Sequence, residues 1–288
     1  MSLVFRTHDG LALQGRAWPC RDARGTIVIV HGLGEHIGRY AHVAASLNGR
    51  GWSVVGYDQR GHGASEGGRG GLGATDDLLR DLAVVLDAVR AAPDFAAPLV
   101  LLGHSMGGTV VARFVAGGLE TPKPTWWRGV DALVLSSPAL DLGMGPLQRA
   151  MLATLEPLAP NLGVGNGLKP AWISRDPAVV AAYIADPLVH DRIAPRLVRF
   201  LVDAGVAVRA LAPRWNVPTL LLYAGSDRCV VPAGSAAFAA AAPKEVVTAR
   251  VFEPLFHEIF NEPEQAEVLS VLGSWLDTLP VSPSRSPR

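Results

Sequence analysis

The chain is short of several things, and each shortage removes a class of protein. It has only two cysteines, Cys20 and Cys229. They lie far apart in no metal or redox spacing, so a reduced chain without a disulfide is expected. The net charge is zero, from 26 basic and 26 acidic residues. Such a balance gives no basic face for nucleic acid. Lysine is scarce: three of the 26 basic residues are lysine and the rest arginine. No stretch approaches the roughly 20 apolar residues that span a bilayer. The start, Met1-Ser-Leu-Val-Phe-Arg6, lacks the apolar core of a signal peptide. A cytoplasmic protein is the resulting expectation. Internal repeats are absent, and nothing in the sequence speaks to oligomeric state.

What the chain has is 49% hydrophobic residues, 31 glycines and a length of 288. That length fits one large domain carrying an insertion. Residues 3–6 and 11–18 alternate polar and apolar, as an antiparallel edge hairpin does. Apolar runs at 26–31, 52–57, 98–103, 130–136, 218–224 and 246–252 predict strands buried on both faces. Helical patterns fill 38–50, 75–91, 105–117 and 264–278. Alternating strands and helices predict an α/β fold with a mostly parallel, doubly wound sheet.

The rhythm breaks at 141–212. Leu147, Met151, Leu152, Leu155 and Leu158 form a stripe at helical spacing. Most of it is expected to pack within the insertion, and some positions could line a channel. Gly163–Gly167 predicts a flexible loop, and Arg196–Leu211 could hold a helix. The segment, inserted after the fourth parallel strand, predicts a helical cap over the sheet's C-terminal edge. The division is therefore 1–140 and 213–280 as core, 141–212 as cap, and 281–288 as a disordered tail.

The chemistry centres on Leu99–Ala112. A strand ends in Gly103-His-Ser-Met-Gly107, then small and apolar residues continue at helical spacing. G-x-S-x-G between a strand and a helix makes a sharp turn that presents the serine. The bland alternative is an ordinary glycine-rich turn. Three other segments favour chemistry. Thr26–Gly34 is a strand ending in a glycine loop, Pro218–Asp227 a strand ending in a carboxylate, and Phe256-His257-Glu258 follows the next strand. Ser105…Asp227…His257 is the chain order of α/β-hydrolases. A serine needs a base to take its proton. His257 is the expected base and Asp227 its orienting acid. Asp141, at the end of the preceding strand, is the alternative acid. The backbone N–H groups of Leu33 and Met106 are the expected oxyanion donors. His31 and His62 sit in glycine turns and are expected to anchor loops. His104 is expected to point away from the nucleophile.

Two rival readings are weaker. His31 and His36 suggest a metal pair, but no carboxylate joins them at ligand spacing, so no metal is expected. Gly32-Leu-Gly34-Glu-His-Ile-Gly38 with Asp58 suggests dinucleotide binding, but the spacing is wrong for G-x-G-x-x-G. No cofactor is expected.

The chain resembles the monoacylglycerol lipase and lysophospholipase branch of the α/β-hydrolases. The resembling blocks are His31–Tyr40, Asp58–Ser65, Gly103–Gly108, Ser174–Asp176, Tyr183–Leu188, Gly225–Asp227 and His257–Glu262. The resemblance implies hydrolysis of single-chain lipid esters, with Glu35, Arg39 and Tyr183 near the glycerol head. For Glu35 and Arg39 the alternative is charge pairing that anchors the loop. Transient contact with a membrane surface through the cap would suit such substrates. A broad carboxylesterase or a serine peptidase could use the same fold. The peptidase would need a carboxylate to grip a free amine, for which Asp176 and Asp186 are candidates. A ligand receptor with a vestigial triad is a third reading.

Overall fold

Strand residues alternate between two faces, and here both faces are covered. The computed structural model describes residues 1–280; the tail expected to be disordered lies outside them. Ile27, Ile29, Val100 and Leu102 join one buried cluster. Their chain neighbours Val28, Val30 and Leu101 join the other. A sheet buried on both sides needs apolar residues at every position, which is why its strands read as unbroken runs.

The strands are β1 (Ser2–Arg6), β2 (Ala12–Trp18), β3 (Gly25–Val30), β4 (Trp52–Tyr57), β5 (Leu99–His104) and β6 (Ala132–Ser136), then β9 (Thr219–Ala224) and β10 (Val247–Phe252). They form one eight-stranded sheet in the order β1-β2-β4-β3-β5-β6-β9-β10. Only β1 with β2 and β2 with β4 pair antiparallel. Helices α1 (Ala41–Asn48) and α8 (Gln265–Leu276) cover one face. Helices α2 (Asp77–Ala91), α3 (Met106–Ala116) and α7 (Pro232–Ala241) cover the other. The strand order reverses around β3, between β4 and β5. Crevices at such a reversal, beyond the C-terminal strand ends, are where α/β sheets hold ligands.

Between β6 and β9 lie α4 (Pro146–Leu158), β7 (Val164–Gly165), α5 (Pro177–Ala185), β8 (Arg192–Ile193) and α6 (Pro195–Leu211). Three features differ from the sequence reading. The stripe on α4 is not packed: Leu147 and Leu158 are 75% and 77% exposed, and only Leu152 is buried. The segment read as a flexible loop contains β7, which pairs antiparallel with β8. Helix α5 was not expected. It is apolar nearly all round and so lacks a periodic signal, and it starts at Pro177 after an Asp176 cap that accepts from Ala178 N–H. The last helix, α6, buries Leu197, Phe200, Leu201, Ala204 and Val208 in the cluster that contains α3.

Candidate active site

The turn after β5 holds Ser105 at φ 53° and ψ −119°. A non-glycine residue at positive φ is strained and persists only where its surroundings fix it. Ser105 N–H donates to Ser136 O at 3.0 Å, and Ser105 O accepts from Thr109 and Ala139 N–H, each at 3.0 Å. Close packing beneath the turn requires Gly107: a Cβ there would collide with the carbonyls of Val30 and His31. Met106 is the first residue of α3, directly after Ser105.

Three side chains converge at the sheet's C-terminal edge. His257 Nε2 lies 2.7 Å from Ser105 Oγ, and its Nδ1 lies 2.7 Å from Asp227 Oδ2. The second oxygen, Asp227 Oδ1, accepts from Cys229 N–H at 2.8 Å and Val230 N–H at 3.0 Å. Burial alone would lower the His257 pKa, but the charge and hydrogen bond of Asp227 outweigh it and hold the imidazole above its ordinary value. Burial likewise works against the Asp227 carboxylate, yet His257 and the two N–H donors keep its pKa low. Asp141, the alternative acid, is engaged elsewhere: its Oδ1 accepts from Gly143 N–H.

The loop after β3 stands beside the serine. A Cβ on Gly32 would lie 3.2 Å from Ser105 Cβ, which brings the following Leu33 to the same crevice. The loop is held from several directions. His31 donates from Nδ1 to Gly32 O at 2.7 Å, while its Nε2 accepts from Gln59 N–H at 2.9 Å. Glu35 Oε1 accepts from Gly32 N–H at 2.6 Å and from the Tyr40 hydroxyl at 2.7 Å. Its other oxygen accepts from Arg39 at 2.8 Å. Burial would raise the Glu35 pKa, but Arg39 above all holds it down to about 2. His190 N–H, from the insertion, donates to Gly34 O at 2.9 Å.

A cavity of about 450 Å³ opens above Ser105. Gly32, Leu33, His104, Ser105 and His257 line its floor, with Leu168, Ile173, Tyr183, Ile184 and Val189 contributed by the insertion. Of the three residues expected near a head-group, Glu35 and Tyr183 line this cavity. Both Glu35 oxygens are already committed. Arg39 lies behind them, its guanidinium 4.9 Å from the Tyr183 ring centre. It meets Glu258 through two bonds, at 2.6 and 2.7 Å. Tyr183 differs in that its hydroxyl has no hydrogen-bond partner among the described residues.

Sequence reasoning missed part of the surroundings. His104 does not point away; its ring packs 4.8 Å from that of His257. Burial, with His257 beside it, lowers its pKa to about 4. Glu258 follows His257 directly, yet its role depends on a partner 219 residues away. The candidate amine-gripping carboxylates have other work. Asp176 caps α5, and Asp186 Oδ2 lies 2.8 Å from His36 Nε2.

Such a sheet, with a serine turn after β5 and an acid and a histidine after β9 and β10, is that of an α/β-hydrolase. Residues 21–264 match the family described as serine aminopeptidase, S33, and the chain belongs to that family. It is similar to a monoacylglycerol lipase of Mycolicibacterium smegmatis, at 37% identity over 94% of this chain and 95% of the relative. It is also similar to the phospholipase YtpA of Bacillus subtilis, at 30% identity over 90% of this chain and 98% of that one. The solved monoacylglycerol lipase of Paleococcus ferrophilus superposes with a TM-score of 0.81 at 33% identity, covering 93% of this chain and 99% of that one.

Proposed function

We propose that the chain hydrolyses esters of single-chain lipids, monoacylglycerols or lysophospholipids, through an acyl-enzyme on Ser105. The observation that carries the reading is the hydrogen-bonded line Asp227–His257–Ser105 beneath a cavity that carries both apolar and polar side chains. Ser105 Oγ attacks the ester carbonyl while His257 Nε2 takes its proton. Asp227 orients the ring and stabilises the imidazolium. The developing oxyanion accepts from the N–H groups of Leu33 and Met106. His257 then protonates the departing alcohol, and water reverses the sequence to free the acid. The names of the relatives support both head-groups: two are monoacylglycerol lipases and one is a phospholipase.

The insertion acts as a cap in this reading. Most of the large exposed apolar side chains lie on it, including Leu147, Met151, Leu158, Leu162 and Ile184. An exposed apolar patch of this kind marks an interaction surface, here transient contact with the lipid surface that carries the substrate. No helix among the described residues is long and apolar enough to cross a membrane.

The family description favours a second reading, an aminopeptidase. A free amine needs an uncommitted carboxylate. Glu35 and Glu258 are both bound to Arg39, Asp186 faces His36, and the exposed Asp191, which also lines the cavity, meets Arg192 at 3.2 Å. An incoming ammonium would have to break one of these pairs, so the ester reading is stronger. A hydrolysis panel of monoacylglycerols, lysophospholipids, aryl esters and aminoacyl amides tests the choice. Turnover of amides but not of lipid esters overturns it.

A further inference from the structure

The proposed reaction leaves one nucleophilic group in the cavity unused. Cys229 follows Asp227 by two residues, and its N–H donates to Asp227 Oδ1 at 2.8 Å. That tight turn brings the thiol back beside the acid. Cys229 Sγ, a carboxylate oxygen of Asp227 and a ring nitrogen of His257 all lie within 4.8 Å of one another. Cys229 also lines the cavity, so an ion can reach it by the route the substrate takes. The thiol is free, not part of a disulfide.

Thiolate, imidazole and carboxylate are the three protein ligand types of Zn²⁺. Metal–ligand bonds of ~2.0–2.3 Å in a tetrahedron put ligand atoms roughly 3.3–3.7 Å apart. Asp227 Oδ2 and His257 Nδ1, now 2.7 Å apart, must open by roughly 0.6 Å to meet that spacing. We propose that Asp227, Cys229 and His257 form an inhibitory site for a thiophilic divalent cation such as Zn²⁺. The cation takes the place of the proton between Asp227 Oδ2 and His257 Nδ1, with Cys229 Sγ as third ligand. Coordination sends one proton to solvent, from the thiol, while the Nδ1 proton shifts to Nε2 so that His257 binds as a neutral imidazole. With a dication on Nδ1 the ring can no longer become an imidazolium beside Asp227, so Ser105 loses its base.

A second group of ligand-type side chains, His8, Asp9 and Asp77, shows the contrast. The Arg60 guanidinium already fills it, at 3.0 Å from Asp9 and 2.7 Å from Asp77. That fixed positive charge disfavours a metal.

Inhibition rests on the catalytic reading above; binding does not, and the two are separable. Co²⁺ is titrated into the full-length Ser105→Ala chain and followed by absorption. A near-ultraviolet thiolate-to-cobalt band is expected. Zn²⁺ should abolish it, Cys229→Ser and Cys229→Ala should lack it, and Cys20→Ser and His8→Ala should keep it. Circular dichroism confirms that each variant is folded. In the ester assay, Zn²⁺ but not Mg²⁺ should inhibit the chain with Ser105 intact. Loss of Cys229 should raise the half-inhibiting concentration by at least about 10- to 100-fold, the cost of losing even a group that only hydrogen-bonds a metal ligand. A cobalt band that survives in folded Cys229→Ala, or no band with Cys229 present, overturns the proposal. So does equal Zn²⁺ sensitivity with and without the thiol. If no ester is hydrolysed, the cobalt titration still decides the site.

Discussion

Arg39 and Glu258 face each other through two parallel bonds, at 2.6 and 2.7 Å. Glu258 adjoins His257, and Arg39 also holds Glu35, which holds Gly32 N–H. The loop beside the serine and the loop that carries the histidine are thus one ionic unit. All three side chains are largely buried, only 12% exposed for Arg39, 4% for Glu35 and 6% for Glu258. Removing one partner from a buried pair leaves an uncompensated charge, costing ~3–5 kcal/mol. Arg39→Ala is expected to lower the unfolding free energy by about that amount. Its kcat should fall by the same factor for monoacylglycerol and for a short aryl ester. Denaturant unfolding and paired kinetics check both parts. An unchanged unfolding midpoint would sink the idea that this pair holds the site together.

The catalytic assignment has a sharper test. A fluorophosphonate probe is expected to label Ser105, and Ser105→Ala should lose labelling and turnover together. His257→Ala and Asp227→Asn should each cost several powers of ten in kcat, because the three act as a unit. Asp141→Asn should stay near the parent rate, since Asp141 bonds Gly143 and not the histidine. The reverse pattern for the two aspartates would move the acid to Asp141.

Tyr183 and Glu35 are expected to separate. The Tyr183 hydroxyl is uncommitted, so a glycerol hydroxyl can bond to it. Losing that bond costs about 0.5–1.5 kcal/mol, or roughly two- to tenfold. Tyr183→Phe should therefore lower kcat/KM for monoacylglycerol by that factor more than for p-nitrophenyl butyrate. Glu35→Gln should reduce both esters alike, because its oxygens serve Gly32, Tyr40 and Arg39. A selective loss in Glu35→Gln instead would make that carboxylate a direct substrate contact.

The pH dependence follows from His257. As a base it must be neutral, and Asp227 holds its pKa above 6.5. Protonation disables it first as pH falls, so the acid limb of kcat/KM should lie above an ordinary histidine's. In Asp227→Asn the largest raising charge is gone while burial, and the weaker pull of Glu258 and Glu35, remain. The residual activity should then have its acid limb shifted to lower pH. Stopped assays across pH 5 to 9, about two units on either side of neutrality, measure both limbs. A limb that stays in place in Asp227→Asn would show that the carboxylate does not set the base.

Legibility differed between core and insertion for a physical reason. In the core each strand is covered on both faces, so the run at Thr26–Val30 and the glycines flanking Ser105 could be read locally. Ser105, Asp227 and His257 stand at strand ends, where chain order carries information. In the insertion, the spacing of Leu147, Met151 and Leu155 showed which face of α4 is apolar but not what covers it. Helix α5 had no polar face to give a period. The Arg39–Glu258 pair was illegible because two charges 219 residues apart announce nothing about each other.

The insertion leaves the sheet from β6 and re-enters at β9, and these strands are hydrogen-bonded neighbours. It is therefore an excursion that returns to the adjacent strand, anchored by α6, and no core strand pairs with any part of it. Doubling a flexible loop costs only about 0.6 kcal/mol in closure entropy. Segments between Asp141 and Ala194 can thus be lengthened, shortened or exchanged without disturbing the register of the sheet. The architecture separates the rate at which acyl preference can diverge from the rate at which Ser105, Asp227 and His257 can move. The first set of changes is inexpensive in folding terms; the second is fixed by eight strands.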